Sequence, residues 1–375
     1  MGVWKLKSMI IEEVENIKQE LCKISDFMYY NPELGNEEYE AMKLLTGMLS
    51  DHGFEIETGL VGKATAFRGV YDSKKPGKTI GYLCEYDALP EIGHGCGHNM
   101  IGTMSVGAGI ALSKVLDNCG GKIVVYGTPA EETDGGKVYM ADAGLFDDLD
   151  AALILHPADK SYSSGSSLAM DAIEFSFTGK ASHAASEPEA GINALDAVIM
   201  TFNGINALRQ HVTSDVRIHG IISEGGIAAN IVPDKGVCRF YVRAKSRAYL
   251  DEVVEKVKDI ARGAMSMTKA SLEIKNYEIS YDNMKTDQVL SDMFQKNMDL
   301  LEIDDLKPSR ESFGSIDMGN VSQKVAAIHP YIGLTEGLVA HTKEFADFTI
   351  TDKAHDRIGK GASALALTGF DIINN

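Results

Sequence analysis

At 375 residues the chain is longer than a single hydrophobic core usually grows, so two domains are expected. A hydrophobic content of 44% beside 24% charged residues is ordinary for a soluble globular protein. With 36 basic against 54 acidic residues the formal net charge is −18, which argues against a nucleic-acid or anionic-membrane surface, since either needs clustered Lys and Arg.

The cysteines, Cys22, Cys84, Cys96, Cys119 and Cys238, are scattered and odd in number. No disulfide framework is expected, and a reducing compartment is. Met9-Ile10-Ile11 runs at once into Glu12, Glu13 and Glu15, leaving no apolar signal core, and no stretch reaches the length of a membrane span. A cytoplasmic protein is therefore expected.

In chain order, Ile10, Val14, Ile17, Leu21, Ile24 and Met28 recur at alternating fours and threes, the spacing of an amphipathic helix. Asn31-Pro32-Glu33-Leu34-Gly35 ends it, and a second helix is predicted from about Glu37 to Asp51. Ile80 to Cys84 reads as a strand that delivers Glu85 and Asp87. A glycine-rich loop then presents His94, Cys96 and His98, with Gly93, Gly95 and Gly97 letting the backbone fold tightly. Residues 100 to 116 read as a buried helix. Its Gly107-Ala108-Gly109 is no dinucleotide fingerprint, because Leu112 stands where the third glycine belongs. Lys122 to Tyr126 is a strand leading to Glu131 and Glu132, and Ala151 to Leu155 is a strand ending at His156-Pro157. Three apolar runs thus place polar groups just past their C-terminal ends, where open α/β sheets build their sites.

Residues 170 to 282 follow another pattern: strand 172–178, helix 192–212, strands 216–222 and 237–244, helix 249–267 and strand 270–280. This βαββαβ order describes a small ferredoxin-like α+β unit with its own core, inserted into the larger domain. The expected division is residues 1–169 and 283–375 for one domain and 170–282 for the insert. A helix over 289–301, the loop around Gly314 and Ser315, His341 and a final Ala- and Leu-rich helix over 352–373 close the chain.

Thiolate, imidazole and carboxylate together suit a borderline metal such as zinc. Cys96 and His98 are candidate ligands; His94 is either a further ligand or a residue that orients the loop. Glu131 and Glu132, taken as neighbours on an extended loop, should point apart, so that one holds metal while the other acts as a base; a solvated acidic pair at a helix start is the alternative. His156, His183 and His341 say little individually. As a set, these groups suffice for two divalent ions, which at about 3.5–4 Å apart activate a water and polarise a carbonyl. A carboxylate outside the ligand set would carry the proton to the leaving nitrogen, and a donor opposite would stabilise the oxyanion.

Glu85-Tyr-Asp-Ala-Leu-Pro90, Gly95-Cys-Gly-His-Asn99, Pro129-Ala-Glu-Glu132, the strand-end His156, Gly179-Lys-Ala-Ser-His-Ala-Ala185, Gly225-Gly-Ile-Ala-Ala-Asn-Ile-Val-Pro-Asp234 and Gly314-Ser-Ile-Asp-Met-Gly-Asn-Val321 occur in this order. Over essentially its whole length the chain resembles the M20 metallopeptidase family, and within it the amidohydrolase branch of aminoacylases, indoleacetyl-amino-acid hydrolases and aminobenzoyl-glutamate hydrolase. The resemblance implies an α/β catalytic domain, with a mixed sheet flanked by helices, and an inserted lid used for dimerisation. It implies two divalent ions, zinc or manganese, on Cys96, His98, Glu132, His156 and His341, with Cys96 bridging or binding them. Glu131 would be the general base and Asp87 would orient a ligand or the base. His183 would reach across a homodimer as an oxyanion donor, Asn230 would hold substrate, and Gly314 and Ser315 would line its carboxylate end. The substrate implied is an N-acyl amino acid or a short peptide.

The chain departs from the family pattern in places. Glu85 stands where many relatives have Asp, and Cys96-Gly-His98 continues as Asn99-Met100-Ile101 without the usual acid and histidine, which bears on metal choice. Arg243 is the nearest arginine for a substrate carboxylate, or else a structural residue of the lid. The rival readings are a di- or oligopeptidase on the same fold, differing in pocket size, and a non-catalytic binding protein. The last would be expected to lose ligands, and here every proposed ligand is present.

Overall fold

A computed structural model describes residues 2–303, 306–309 and 313–374. They form two compact units, Met1–Ser166 with Met284–Ser312 and Ile316–Asn375, and Ser167–Asn283 with Phe313–Ser315.

The first unit begins with helices α1 (Val3–Tyr30) and α2 (Tyr39–Asp51) and strands β1 (Glu55–Thr58), β2 (Phe67–Asp72) and β3 (Thr79–Cys84). Helix α3 (His98–Cys119), strand β4 (Lys122–Gly127), helix α4 (Gly136–Asp142) and strands β5 (Ala151–Leu153) and β6 (His156–Ala158) follow. The apolar stripe of α1 is buried, and Ile10, Leu21 and Met28 have no more than 1% of their surface exposed. Each such side chain contributes about 1.5–3 kcal/mol of burial. Helix α3 is buried nearly all round, which explains its continuous run of apolar and small residues.

The second unit is β7 (Ala169–Thr178), α5 (Ala194–Leu208), β8 (Arg217–Glu224), β9 (Lys235–Ala244), α6 (Arg247–Thr268) and β10 (Ser271–Asn276). Its strands pair antiparallel in the order β10-β7-β9-β8, the arrangement of a ferredoxin-like unit. Phe175, Phe177 and Phe240 of the sheet pack with Val198 and Ile205 of α5 and Leu250, Val253 and Val257 of α6. Helix α5 starts where Asn193 accepts the Leu195 and Asp196 amides, and α6 where Ser246 accepts that of Tyr249. The last strand stops at Asn276, short of the expected residue 280.

The chain then returns to the first unit through α7 (Gln288–Leu300), α8 (Met318–Ser322), β11 (Ala327–Ile328), β12 (Tyr331–Gly333), α9 (Lys343–Phe348) and α10 (Asp352–Asn374). The large sheet runs β1-β2-β4-β3-β5-β11. Strands β4, β3, β5 and β11 are mutually parallel, whereas β1 and β2 are antiparallel additions at one edge, so the sheet is mixed. Four parallel strands therefore end on the same side, and their next residues lead to Glu85, Glu131, His156 and His329. Among the described residues no helix is long and apolar enough to cross a membrane.

Candidate metal centre

The loop from Glu85 to His98 is closed by main-chain geometry. Gly97 takes φ +81° to turn the chain into α3, and a Cβ there would run into Pro157. His98 is thereby the first residue of α3, buried beneath the end of β3. Its Nδ1 meets Asp87 Oδ1 at 2.8 Å, and Asp87 Oδ2 accepts the Glu132 backbone N–H at 3.0 Å. One buried carboxylate thus holds an imidazole and the acidic turn together. Burial works against a charge on His98, but the Asp87 carboxylate outweighs it and holds the imidazole well above its ordinary range.

Glu131 and Glu132 do not lie on an extended loop. Ala130 takes φ +60°, and its carbonyl accepts the amides of Thr133, Asp134 and Gly135 at 3.3, 2.9 and 2.8 Å. This turn sends both carboxylates to one side, where an oxygen of each and a nitrogen of His98 lie within 4.8 Å of one another. The divergence expected of an extended pair is absent for that reason.

Two further clusters share one sulfur. Cys96, His98 and His156 form one, and Cys96, Glu132 and His341 the other, each with its donor atoms within 4.8 Å. Cys96 Sγ is 3.5 Å from His156 Nε2, while His156 Nδ1 hydrogen-bonds the Pro157 carbonyl at 2.6 Å, leaving the Nε2 lone pair facing the sulfur. His341 sits at φ +63°, donates its backbone N–H to the Gly95 carbonyl at 2.8 Å, and places Nε2 3.3 Å from Glu132 Oε1.

The electrostatics suit a cation. Burial disfavours a charge on Glu132, yet the His341 hydrogen bond and the His98 charge bring it down to about 2. Burial lowers His156 to about 4, keeping it a neutral imidazole. Burial also pushes the Cys96 thiol up. Glu131 is raised well above the carboxylate range by burial and by the charges of Glu85, Asp317 and Glu132. A nearby cation opposes the upward shifts of Cys96 and Glu131, favouring thiolate and carboxylate alike. His98 Nε2 is buried and faces two carboxylates, 3.3 Å from Glu85 Oε2 and 4.0 Å from Glu132 Oε1, in the space the clusters share. One thiol, three imidazoles and a carboxylate therefore fit a pair of borderline divalent ions.

His94 belongs to none of these clusters. It is buried, its ring meets the Met28 main chain, and burial lowers it to about 3. Two other buried groups border the site without having been singled out for a role. Lys137 pairs with Glu85 and Asp317 at 2.6 and 2.7 Å. His329 lies with its ring 5.6 Å from that of His156 and tilted by 35°, and burial lowers it to about 3. His329-Pro330 follows an apolar strand just as His156-Pro157 does, so the same signal marks it; a lone lysine after two glycines carries none.

The remaining candidates lie in the second unit. His183 Nδ1 accepts the amides of Ala185 and Ser186 at 3.2 and 3.1 Å. Its neighbour Ala184 donates to the Asn230 carbonyl at 3.0 Å, so the two candidate loops are joined, with Asn230 exposed. Arg243 Nη1 donates to Ser315 Oγ at 2.9 Å, and the Gly314 carbonyl accepts the Leu168 amide.

The model of peptidase family M20/M25/M40 matches residues 77–367. The chain belongs to this family. It is accordingly a hydrolase of the metallopeptidase and amidohydrolase kind. It is 33% identical over 392 residues to Xaa-Arg dipeptidase of Homo sapiens, covering 98% of this chain and 89% of that one. It is 34% identical over 285 residues to one of the p-aminobenzoyl-glutamate hydrolase chains of Escherichia coli, covering 70% of this chain and 59% of the relative. In fold it is similar to a dinuclear metal-binding peptidase from family M20 of Bacillus subtilis, with a TM-score of 0.72, 17% identity, and coverage of 96% of this chain and 100% of the other.

Proposed function

We propose that this M20 hydrolase cleaves the amide bond of an N-acyl amino acid or a dipeptide, with Cys96, His98, Glu132, His156 and His341 holding two divalent ions, zinc or manganese. The observation that carries the reading is the shared sulfur: Cys96 is common to the His98–His156 and the Glu132–His341 clusters, as a bridging ligand would be, while Glu131 meets His98 and Glu132 in a third cluster that lacks the sulfur. When bound, the ions supply Lewis-acid charge that acidifies a water and polarises the scissile carbonyl.

The chain's own residues supply the remainder. Glu131 takes the proton of the attacking water and passes it to the leaving nitrogen. Its closeness to Glu85, Asp317 and Glu132 makes it a strong proton acceptor once cationic charge is present. Asp87 orients His98 through Nδ1 and Glu132 through its backbone, so that the donor atoms are fixed before substrate arrives. His183, supplied by the second unit of a partner chain in a homodimer, donates to the oxyanion. Asn230 holds the substrate, and Arg243 with the Gly314-Ser315 loop receives its carboxylate; the Arg243–Ser315 hydrogen bond supports that pairing. The second unit acts as lid and dimerisation surface. The cysteine usage supports a cytoplasmic setting.

The relatives direct the choice of substrates. Protein loaded with Mn²⁺ or Zn²⁺ is to be assayed on Xaa-Arg and other dipeptides and on N-acyl amino acids including p-aminobenzoyl-glutamate, with metal content measured on the same sample. Two ions per chain and hydrolysis of members of one class are expected. Protein that takes up no metal under loading would instead be a binding homologue.

A further inference from the structure

Behind the candidate ligands the first unit encloses a cation. Lys137, near the start of α4, has 0% of its surface exposed. Its Nζ lies 2.6 Å from Glu85 Oε1 and 2.7 Å from Asp317 Oδ1, and the second Asp317 oxygen accepts the Lys137 backbone N–H at 3.1 Å. Glu85 and Asp317 are themselves buried, so all three charges are out of water. Such an arrangement is a poor way to gain stability, because an apolar filling of equal volume avoids the desolvation.

Its surroundings point to a different use. Glu85 is held by one oxygen, and its other oxygen, Oε2, lies 3.3 Å from Nε2 of His98, a member of the candidate ligand clusters. Lys137 also ends the turn that carries Glu131: the Gly136 amide returns to the Pro129 carbonyl at 3.2 Å, and the next residue is pinned to Asp317. One residue, through its side chain and its backbone N–H, therefore ties together the end of β3, the acidic turn and the start of α8.

We propose that Lys137 is a positioning residue for hydrolysis, fixing the Glu85 carboxylate against His98 Nε2 and anchoring the turn that presents Glu131. This rests on the metal-hydrolase reading above. Lys137 touches neither substrate nor the candidate ligands and acts through Glu85 and Asp317. Removal of groups that orient metal ligands typically lowers metal affinity or activity by about 10–100-fold.

The test is a double-mutant cycle of Lys137→Met and Glu85→Gln, made in the metal-loaded chain, reading kcat, KM and metal affinity by chelator competition. Lys137→Met takes the ammonium away from two buried carboxylates, whereas in the double variant Asp317 alone loses it as a carboxylate, which makes that variant the safer one for folding, as circular dichroism reports. A fall in kcat of about tenfold or more with KM within about threefold is expected for each folded variant. The double variant should lose no more than the worse single one, as residues acting along one path do. A folded double variant with wild-type kcat and metal affinity overturns the proposal. So does failure of both Lys137 variants to fold, which would assign the triad to stability alone. A wild type that takes up no divalent ion removes the site being positioned and overturns the functional reading with it, so the two failures are told apart by the wild-type sample.

Discussion

Cys96 Sγ and His156 Nε2 stand 3.5 Å apart although 60 residues separate them in the chain. The sulfur also belongs to the Glu132–His341 cluster, so one atom joins both halves of the centre. Cys96→Ser is expected to remove the thiolate that both ions would share, lowering bound metal well below two per chain by elemental analysis. Activity should fall at least tenfold alongside it. Unchanged metal content would mean that the sulfur does not bridge.

Glu131 is the carboxylate to probe for proton transfer. Glu131→Gln keeps the shape and removes the basic oxygen, and kcat is expected to drop about a hundredfold or more. Metal content should stay at the wild-type level, since the five proposed ligands are untouched. Equal rates for variant and wild type would dismiss the assignment.

The role given to His183 is testable by mixing. If His183 serves the site of a partner chain, inactive His183→Ala and inactive Glu131→Gln chains should together regain part of the wild-type rate, because some mixed dimers contain one intact site. No recovery after demonstrated exchange of chains would mean that His183 serves its own chain or none.

Acid should destabilise the fold through its buried neutral histidines. Burial lowers His94 to about 3, whereas an unfolded-chain histidine titrates near ~6.5. Between those values the unfolded state takes up a proton that the folded state refuses, so stability is full above the upper value and declines as pH falls, at about 1.4 kcal/mol per pH unit. His94→Gln removes this contribution. In metal-free protein, the urea-derived stability gap between wild type and variant is expected to shrink by about 2 kcal/mol from pH 7 to pH 5. A gap that stays constant would mean that His94 is not buried in neutral form.

Much of this architecture is legible in the chain because its periodic segments are long. The stripe from Ile10 to Met28 and the small, apolar run of α3 specify their helices without help from the rest of the fold. Strands β6, β11 and β12, of three, two and three residues, are too short to show a period, and β11 is the strand that carries His329 into place. The acidic turn misleads for another reason. Its shape comes from Ala130 in a left-handed conformation, which a residue with a Cβ does not advertise. Lys137 is invisible in sequence because its burial exists only once Glu85 and Asp317, from distant segments, have met it.

Asp87 gives the centre a collective character. Its two oxygens fasten an imidazole at the head of α3 and the main chain of the acidic turn to a single rigid point. A displacement that frees either one also strips support from the other, so the two donor sets should loosen in concert. Demetallation would then proceed as one event, with no long-lived half-loaded form, and a chelator titration followed by protein fluorescence should trace one sigmoidal step.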